Sequence, residues 1–262
     1  MGVGLLSTAV SGLQAFQRSI SVAGHNISNA NTEGYTRQRV ELGTRPPSFS
    51  GQGYIGNGVQ IQSVERLFDQ FVVDRLRDTS SSTAQYETLF QFSERVTNIL
   101  GDAEAGLSAG LESFFDAVQT VADDPASIPG RQLLLAESGS LVSRFHTLDS
   151  QLQSIGTEID GNVVSIVNEV NGLSAAIADA NRSVAESTSQ GSGETPNDLL
   201  DKRDQMVNRL SELVSVRTVE QDDGALNVFI GSGQSLVTGF LASPLQIVPN
   251  EFDSGRAEIA IA

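Results

Sequence analysis

Two histidines, a glycine-rich hexapeptide, a Gly-Ser-Gly triplet and two aspartate pairs are the groups of this 262-residue chain with catalytic or ligand-binding potential. His25 and His146 fall on different segments, without the His-Glu-x-x-His spacing or the cysteines that zinc coordination uses. Gly51-Gln52-Gly53-Tyr54-Ile55-Gly56 matches the dinucleotide-binding fingerprint letter by letter. That fingerprint works only between a strand and a helix whose N-terminus meets the pyrophosphate. Here Val59-Gln60-Ile61-Gln62 follows, a strand pattern, so the glycines read as a hairpin tip. Gly231-Ser232-Gly233 lacks the Gly-Lys-Ser/Thr of a phosphate loop. Serine is abundant, yet no nucleophile elbow singles one out. Asp123-Asp124 and Asp222-Asp223 stand at element ends, where turn chemistry accounts for them. The sequence points to no catalytic centre, no cofactor and no metal.

What remains is how the elements pack. Leu6, Ala9, Leu13, Phe16, Ile20, Ala23 and Ile27 are spaced alternately three and four apart. Such a heptad seam keeps an apolar stripe facing one partner helix. Around it, Arg18 is the only charged side chain between Met1 and Thr32. A solvated amphipathic helix carries charge on its outer face, so this one is built for protein on nearly every side. Assembly is the expected role. A lone helix of that length is marginal in water, so residues 1–32 are expected to be loosely attached or disordered in a monomer and to order on assembly.

Asn26, Asn29, Asn31 and Gly34 suit turns or left-handed backbone, which should stop the helix near Asn29. Alternating runs at Tyr35 to Leu42 and Val59 to Val64, separated by Pro46-Pro47 and the glycine tip, predict a short hairpin. Helical spacing returns from Phe68 to Leu100, with a Ser/Thr-rich stretch at Asp78 to Thr83 that could interrupt it. Gly101 to Gly106 reads as a link, and Leu107 to Val121 as a short helix stopped by Asp124-Pro125. The longest element runs from about Arg131 to Glu186, its apolar spacing broken once by a stutter at Ile155–Ile159–Val163. Gly139, Gly156, Gly161 and Gly172 each weaken it by roughly 1 kcal/mol, but none lies on the seam.

A polar turn at Ser187 to Glu194 leads to Thr195-Pro196-Asn197-Asp198, which reads as an N-cap, a first-turn proline and a carboxylate at the third position. In the next helix Asp198, Asp201, Lys202, Arg203 and Asp204 are expected to pair on a wet face. After Val214 the period becomes two, with turns at Asp222-Asp223-Gly224 and later glycines. Arg256 to Ala262 alternates like a strand and stops without a turn or cap, the pattern expected of a piece of a longer chain. The fold class is mainly α with a β-rich outer part. It comprises an N-terminal heptad helix, a short hairpin, a long coiled-coil-like helical rod and a truncated β domain.

The charge is uneven. Net charge is −16, yet residues 1–80 hold 7 Arg against 6 acidic residues, and the remainder holds 9 basic against 26 acidic. An acidic body repels nucleic acid and anionic membrane, so neither is an expected partner. Cysteine is absent, which excludes disulfides and thiolate metal sites within these residues. No stretch approaches a membrane span, and the start lacks the basic and compact apolar regions of a cleavable signal peptide.

Asn26-Ile27-Ser28-Asn29-Ala30-Asn31-Thr32-Glu33-Gly34-Tyr35-Thr36-Arg37-Gln38 resembles the N-terminal signature of the bacterial flagellar axial proteins, the rod, hook and hook-associated proteins. Within that family, the Gly34-to-Gln38 ending, Asn197 to Asp204, and Val228 to Gly233 are similar to the hook-associated branch, found where hook meets filament. The resemblance implies nested domains: residues 1–32 as an inner coiled-coil segment, 33–67 as an extended hairpin link, 68–214 as a helical rod domain, and 215–262 as the start of an outer β domain. It implies a structural protein of the extracellular flagellum, secreted by type III export without cleavage, and not an enzyme. Its partners would be copies of itself, hook protein and a second junction protein, with an export chaperone. The seam then becomes an assembly interface, and Asn26, Asn29, Asn31, Gly34, Tyr35 and Arg37 a family signature turn. Two alternatives stay open: another axial subunit of rod or hook, and a secreted enzyme or adhesin carried on an axial scaffold.

Overall fold

Small and apolar residues with no internal proline carry the first helix, α1, from Gly2 to Ser28. It ends where the sequence places its turn formers: Asn29 N and Nδ2 both donate to His25 O, at 3.1 Å each, closing the last turn. The structure, a computed structural model, describes residues 2–49, 51, 53–101, 106–190, 196–231, 233–250, 252 and 257–261. Strands β1 (Gln38–Thr44) and β4 (Val59–Arg66) form the expected antiparallel hairpin, with a bulge after Glu41. At its tip, β2 (Ser48–Phe49) pairs with β3 (Tyr54–Ile55). No helix follows the glycine hexapeptide, of which Gln52 lies outside the described residues.

Helix α2 (Gln70–Gly101) passes unbroken through the Ser/Thr-rich stretch, where the Thr79 hydroxyl donates back to Arg75 O at 2.9 Å and so does not compete with the helix. Helix α3 (Leu107–Asp123) stops at Asp124, and α4 runs from Ile128 to Gln190, longer at both ends than the periodicity alone suggests. The link at 102–105 and the turn and cap at 191–195, including Thr195, lie outside the described residues. Helix α5 (Asn197–Leu213) is capped by Pro196, not Thr195; no side chain caps it, and the Pro196 carbonyl accepts from Leu199 N at 3.0 Å and Leu200 N at 3.1 Å. Four strands then form an antiparallel meander: β5 (Val216–Glu220), β6 (Leu226–Ile230), β7 (Gln234–Thr238) and β8 (Leu241–Ala242). The last two, β9 (Leu245–Pro249) and β10 (Ala257–Ile261), pair with each other, and Ser232, Arg256 and Ala262 lie outside the described residues. The chain is mainly α with a β part.

Its contacts divide into two compact units. The first gathers residues 1–81, 169–246 and 259–262. Its core joins Val170, Ile177 and Val184 of α4, Val207 and Leu210 of α5, and Val228, Leu236 and Val237 of the sheet. The three α4 residues of that set recur every seven positions, in keeping with the apolar spacing of the sequence. One polar residue sits among them: Asn181, fully buried, donates from Nδ2 to Leu226 O at 2.9 Å and Gly239 O at 2.7 Å. Its Oδ1 accepts from Leu226 N at 3.0 Å and Arg203 Nη1 at 3.1 Å. All four capacities of the amide are used, so one side chain fixes α4, α5 and the sheet edge together.

The second unit, residues 82–168 and 247–258, has a thin interior. Ala117, Leu148, Ile155 and Val167 are its buried apolar residues among those described, while Tyr86, Leu89, Phe90, Phe115, Leu135 and Phe145 stay exposed. A bidentate pair, Arg95 to Glu158 at 2.7 Å for each bond, braces α2 against α4 there. Asn181→Leu should destabilise the first unit by about 2–4 kcal/mol through three stranded backbone partners and a stranded guanidinium. Urea unfolding checks it, with exposed Arg182→Ala as the comparison, expected within about 0.5 kcal/mol of the parent.

Candidate assembly surface and signature turn

The seam residues of α1 are on the surface. Leu6, Leu13, Phe16, Ile20 and Ile27 are between 59% and 77% exposed, and Ala9 and Ala23 are exposed with them. The helix instead packs on the hairpin through a second face about a third of a turn away. That face carries Ser11, Ala15 and Val22, all buried, with Ser19 and Asn26 half-buried. Where residues 1–32 are expected to hang loosely on the chain, the structure packs the face from Ser11 to Asn26 against the hairpin. Small side chains make this seat close. Ser11 Oγ accepts from Val59 N at 3.2 Å, and Gly58, at a φ of 92°, leaves room for the helix. A Cβ on Gly58 would collide with Ser11 Oγ and lie 3.2 Å from Thr8 Cα.

The signature turn is built around Asn26. Its Oδ1 accepts from Tyr35 Oη at 2.7 Å and Gln38 N at 2.8 Å, and its Nδ2 donates to Gln38 O at 2.8 Å. Asn29 Oδ1 accepts from Thr32 Oγ1 at 3.2 Å. Gly34 takes a φ of 73°, left-handed backbone that glycine adopts without strain, beside Gln205, whose Nε2 donates to Glu33 O. Asn31 and Arg37 are exposed; the Arg37 carbonyl accepts from Leu67 N at 2.8 Å. His25 stacks edge-on against Tyr35 at 5.4 Å, with Nε2 3.8 Å from Asp198 Oδ1.

Helix α5 supplies the other half of this clamp, and here the expected wet face holds for Asp198 and Lys202 but not for the rest. Asp201 and Arg203 are buried. Asp201 Oδ2 accepts from Thr36 N at 3.0 Å, and its Oδ1 from Arg66 Nη1 at 2.9 Å. Asp204 accepts from Arg66 Nη1 at 2.7 Å and from buried Arg77 Nη2 at 3.3 Å, while Arg77 Nε reaches Asn208 Oδ1 at 2.7 Å. Asn197 Nδ2 donates to Val64 O at 2.8 Å. Arg203 points the other way, to Asn181 and to Gly224 O at 2.6 Å; burial lowers its pKa, against the pull of Asp204 and Glu220. The charges pair across more than a hundred residues, a separation that helix periodicity cannot report. The acidic stretch Asp198 to Asp204 was the visible signal.

The chemistry-bearing candidates fall into structural roles. Asp124 Oδ1 accepts from Ala126 N at 3.2 Å and Asp223 Oδ1 from Ala225 N at 2.9 Å, both turn bonds. His146 lies exposed on α4 in the second unit. Among the described residues no group of three or more His, Cys, Asp or Glu gathers to hold a metal ion, and no helix is long and apolar enough to cross a membrane. Between α1 and the start of α5 lies an open depression of about 360 Å³, touched by Arg18, His25, Gln38 and Asp198.

Comparison with known proteins bears on this arrangement. Residues 93–262 match the family described as the flagellar hook-associated protein FlgK helical domain, and residues 6–36 match the flagella basal body rod protein family. The chain is 35% identical over 259 residues to flagellar hook-associated protein 1 of Salmonella typhimurium, covering 98% of this chain and 46% of that one. Flagellar hook-associated protein 1 of Escherichia coli is 34% identical over 263 residues, covering 98% and 47%. The chain thus spans about half the length of the curated relatives it matches. The solved structure of the flagellar hook junction protein FlgK from Burkholderia pseudomallei aligns with a TM-score of 0.66 at 26% identity, over 72% of this chain and 33% of that one.

Two measurements test the geometry. Leu13→Asp or Phe16→Asp should leave the melting temperature within about 1 °C, since neither side chain is packed. Ala15→Asp or Val22→Asp places a charge in the seat and should speed tryptic cleavage at Arg18 about tenfold. Burial, then the Asp201 and Asp198 carboxylates, raise the Tyr35 pKa above its ordinary 10.0. The neutral phenol therefore contributes stability that is fully present below its unfolded value and lost as pH rises through the folded one. Tyr35→Phe should flatten that alkaline limb of a stability–pH curve.

Proposed function

The chain belongs to the flagellar hook-associated protein FlgK family, and from that premise we propose that it serves as a structural, non-enzymatic adaptor between hook and filament. The observation that carries this reading is the free heptad face of α1. Five large apolar side chains at heptad spacing stand exposed on a helix whose other face is already seated. Burying the seam against a partner helix would contribute on the order of 10 kcal/mol from apolar area, enough to drive assembly by axial helix packing. The thin interior of the second unit supports the same reading, since its exposed apolar helix faces also suit neighbouring protein.

The proposed partners are copies of this chain, hook protein and a second junction protein, with an export chaperone before assembly. The proposed location is the extracellular flagellum. On this reading residues 1–32 form the inner layer with the seam as its interface, 33–67 the link, 68–214 the helical rod and 215–262 the start of the outer β domain. The turn of Asn26, Asn29, Asn31, Gly34, Tyr35 and Arg37 sets the exit of the chain from the inner helix, and α5 holds that turn in place. The polar clamp does no chemistry in this role; it fixes direction.

The test is genetic. A full-length chain carrying Leu13→Asp and Phe16→Asp together, supplied to cells lacking their own copy, should be made and secreted yet leave hooks without filaments and abolish swimming. Normal filaments on such cells would overturn the proposal.

A further inference from the structure

Flanking the glycine-rich tip of the hairpin between β1 and β4, three apolar side chains stand on a nearly uncharged arm. Phe49, Tyr54 and Ile55 are 68%, 76% and 57% exposed. They are not splayed: Phe49 pairs with Tyr54 across the β2–β3 ladder, and the two rings meet edge-on at 5.5 Å. The base of the tip is braced as well. Ser48 Oγ donates to Asn57 Oδ1 at 3.0 Å, and Asn57 Nδ2 donates to Pro46 O at 2.7 Å. Exposed strand edges in proteins that only face water are commonly guarded by charge. This one holds two aromatics in a fixed pair, and a rigid aromatic pair is a low-entropy anchor for a protein surface.

The charge map says which surface. From Leu42 to Val64 the single charged residue is Arg45, at the foot of the tip. Residues 81–262 carry 26 acidic against 9 basic residues. Two such bodies repel each other, whereas the arm, neutral but for one cation, is attracted to an acidic body. We propose that the hairpin tip docks on the acidic body of a second copy of this chain, with Phe49, Tyr54 and Ile55 covering apolar surface and Arg45 set against carboxylates. The exposed Tyr86 and Phe90 on α2, with Glu87 and Glu94 beside them on the same helix, offer that mixture. The inference rests on self-association and goes beyond the α1 seam, because it gives a lateral contact made by a different element.

A photo-crosslinking phenylalanine at position 54 tests it, in the full-length chain co-expressed with two different epitope tags in flagellated cells. The expected adduct carries both tags and maps within residues 81–262, and Arg45→Glu lowers its yield about fivefold. An adduct to a different protein, an adduct confined to one copy, or no adduct in assembled flagella overturns the proposal. If the probe at position 54 blocks assembly, the same probe at position 55 replaces it. The junction reading fails separately, through filaments that persist when the α1 seam carries Leu13→Asp and Phe16→Asp.

Discussion

Two aspartates on α5, Asp201 buried and Asp204 half-buried, hold the first unit to a single geometry. Asp201 and Asp204 face Arg66 from the hairpin, Arg77 from α2 and the Thr36 amide from the signature turn. A buried ion pair is weak evidence for net stability, because desolvation offsets most of its attraction. Removing one member is different: it strands a charge, at about 3–5 kcal/mol. The cluster therefore discriminates between arrangements. Any rotation of the hairpin that parts Arg66 from its two carboxylates is costly, so the arm and the helix seated on it leave the body in one direction. On the other side of α5, Arg203 and Asn181 repeat the device against the sheet.

With direction fixed, α1 can use its two faces for different ends. One face, of Ser, Ala and Val, lies on the hairpin; the other, of Leu, Phe and Ile, is left bare. A chain optimising its own stability would seat the larger side chains, since each buried Leu or Phe contributes about 1.5–3 kcal/mol. The opposite choice leaves the larger apolar side chains exposed, which is the observation on which the proposed assembly role rests.

The seam was legible because heptad spacing is a property of one helix. So were the hairpin and the change of period after Val214, which announced the β part. The seat was not legible: Ser11, Ala15 and Val22 are too small or too polar to register as a stripe, and only the close approach at Gly58 reveals them. The clamp was half legible. Asp198 to Asp204 stood out, but charged residues are seldom buried, and their partners at Arg66 and Arg77 lie over a hundred residues away. The Pro196 cap and the extension of α4 to Gln190 are boundary matters of the kind local signals place least well. The Ser/Thr stretch in α2 does not break the helix, and the Thr79 hydroxyl is turned back onto the Arg75 carbonyl within it.

The seat of α1 has one more implication. A contact made of a hydroxyl, a methyl and a glycine backbone has little area to lose and few interdigitated side chains to disengage. What holds it in register is polar: Asn26 bonds to Tyr35 and Gln38, and Ser11 to the Val59 amide, so the orientation of the helix is set by directional bonds and its large apolar side chains are not needed for that purpose.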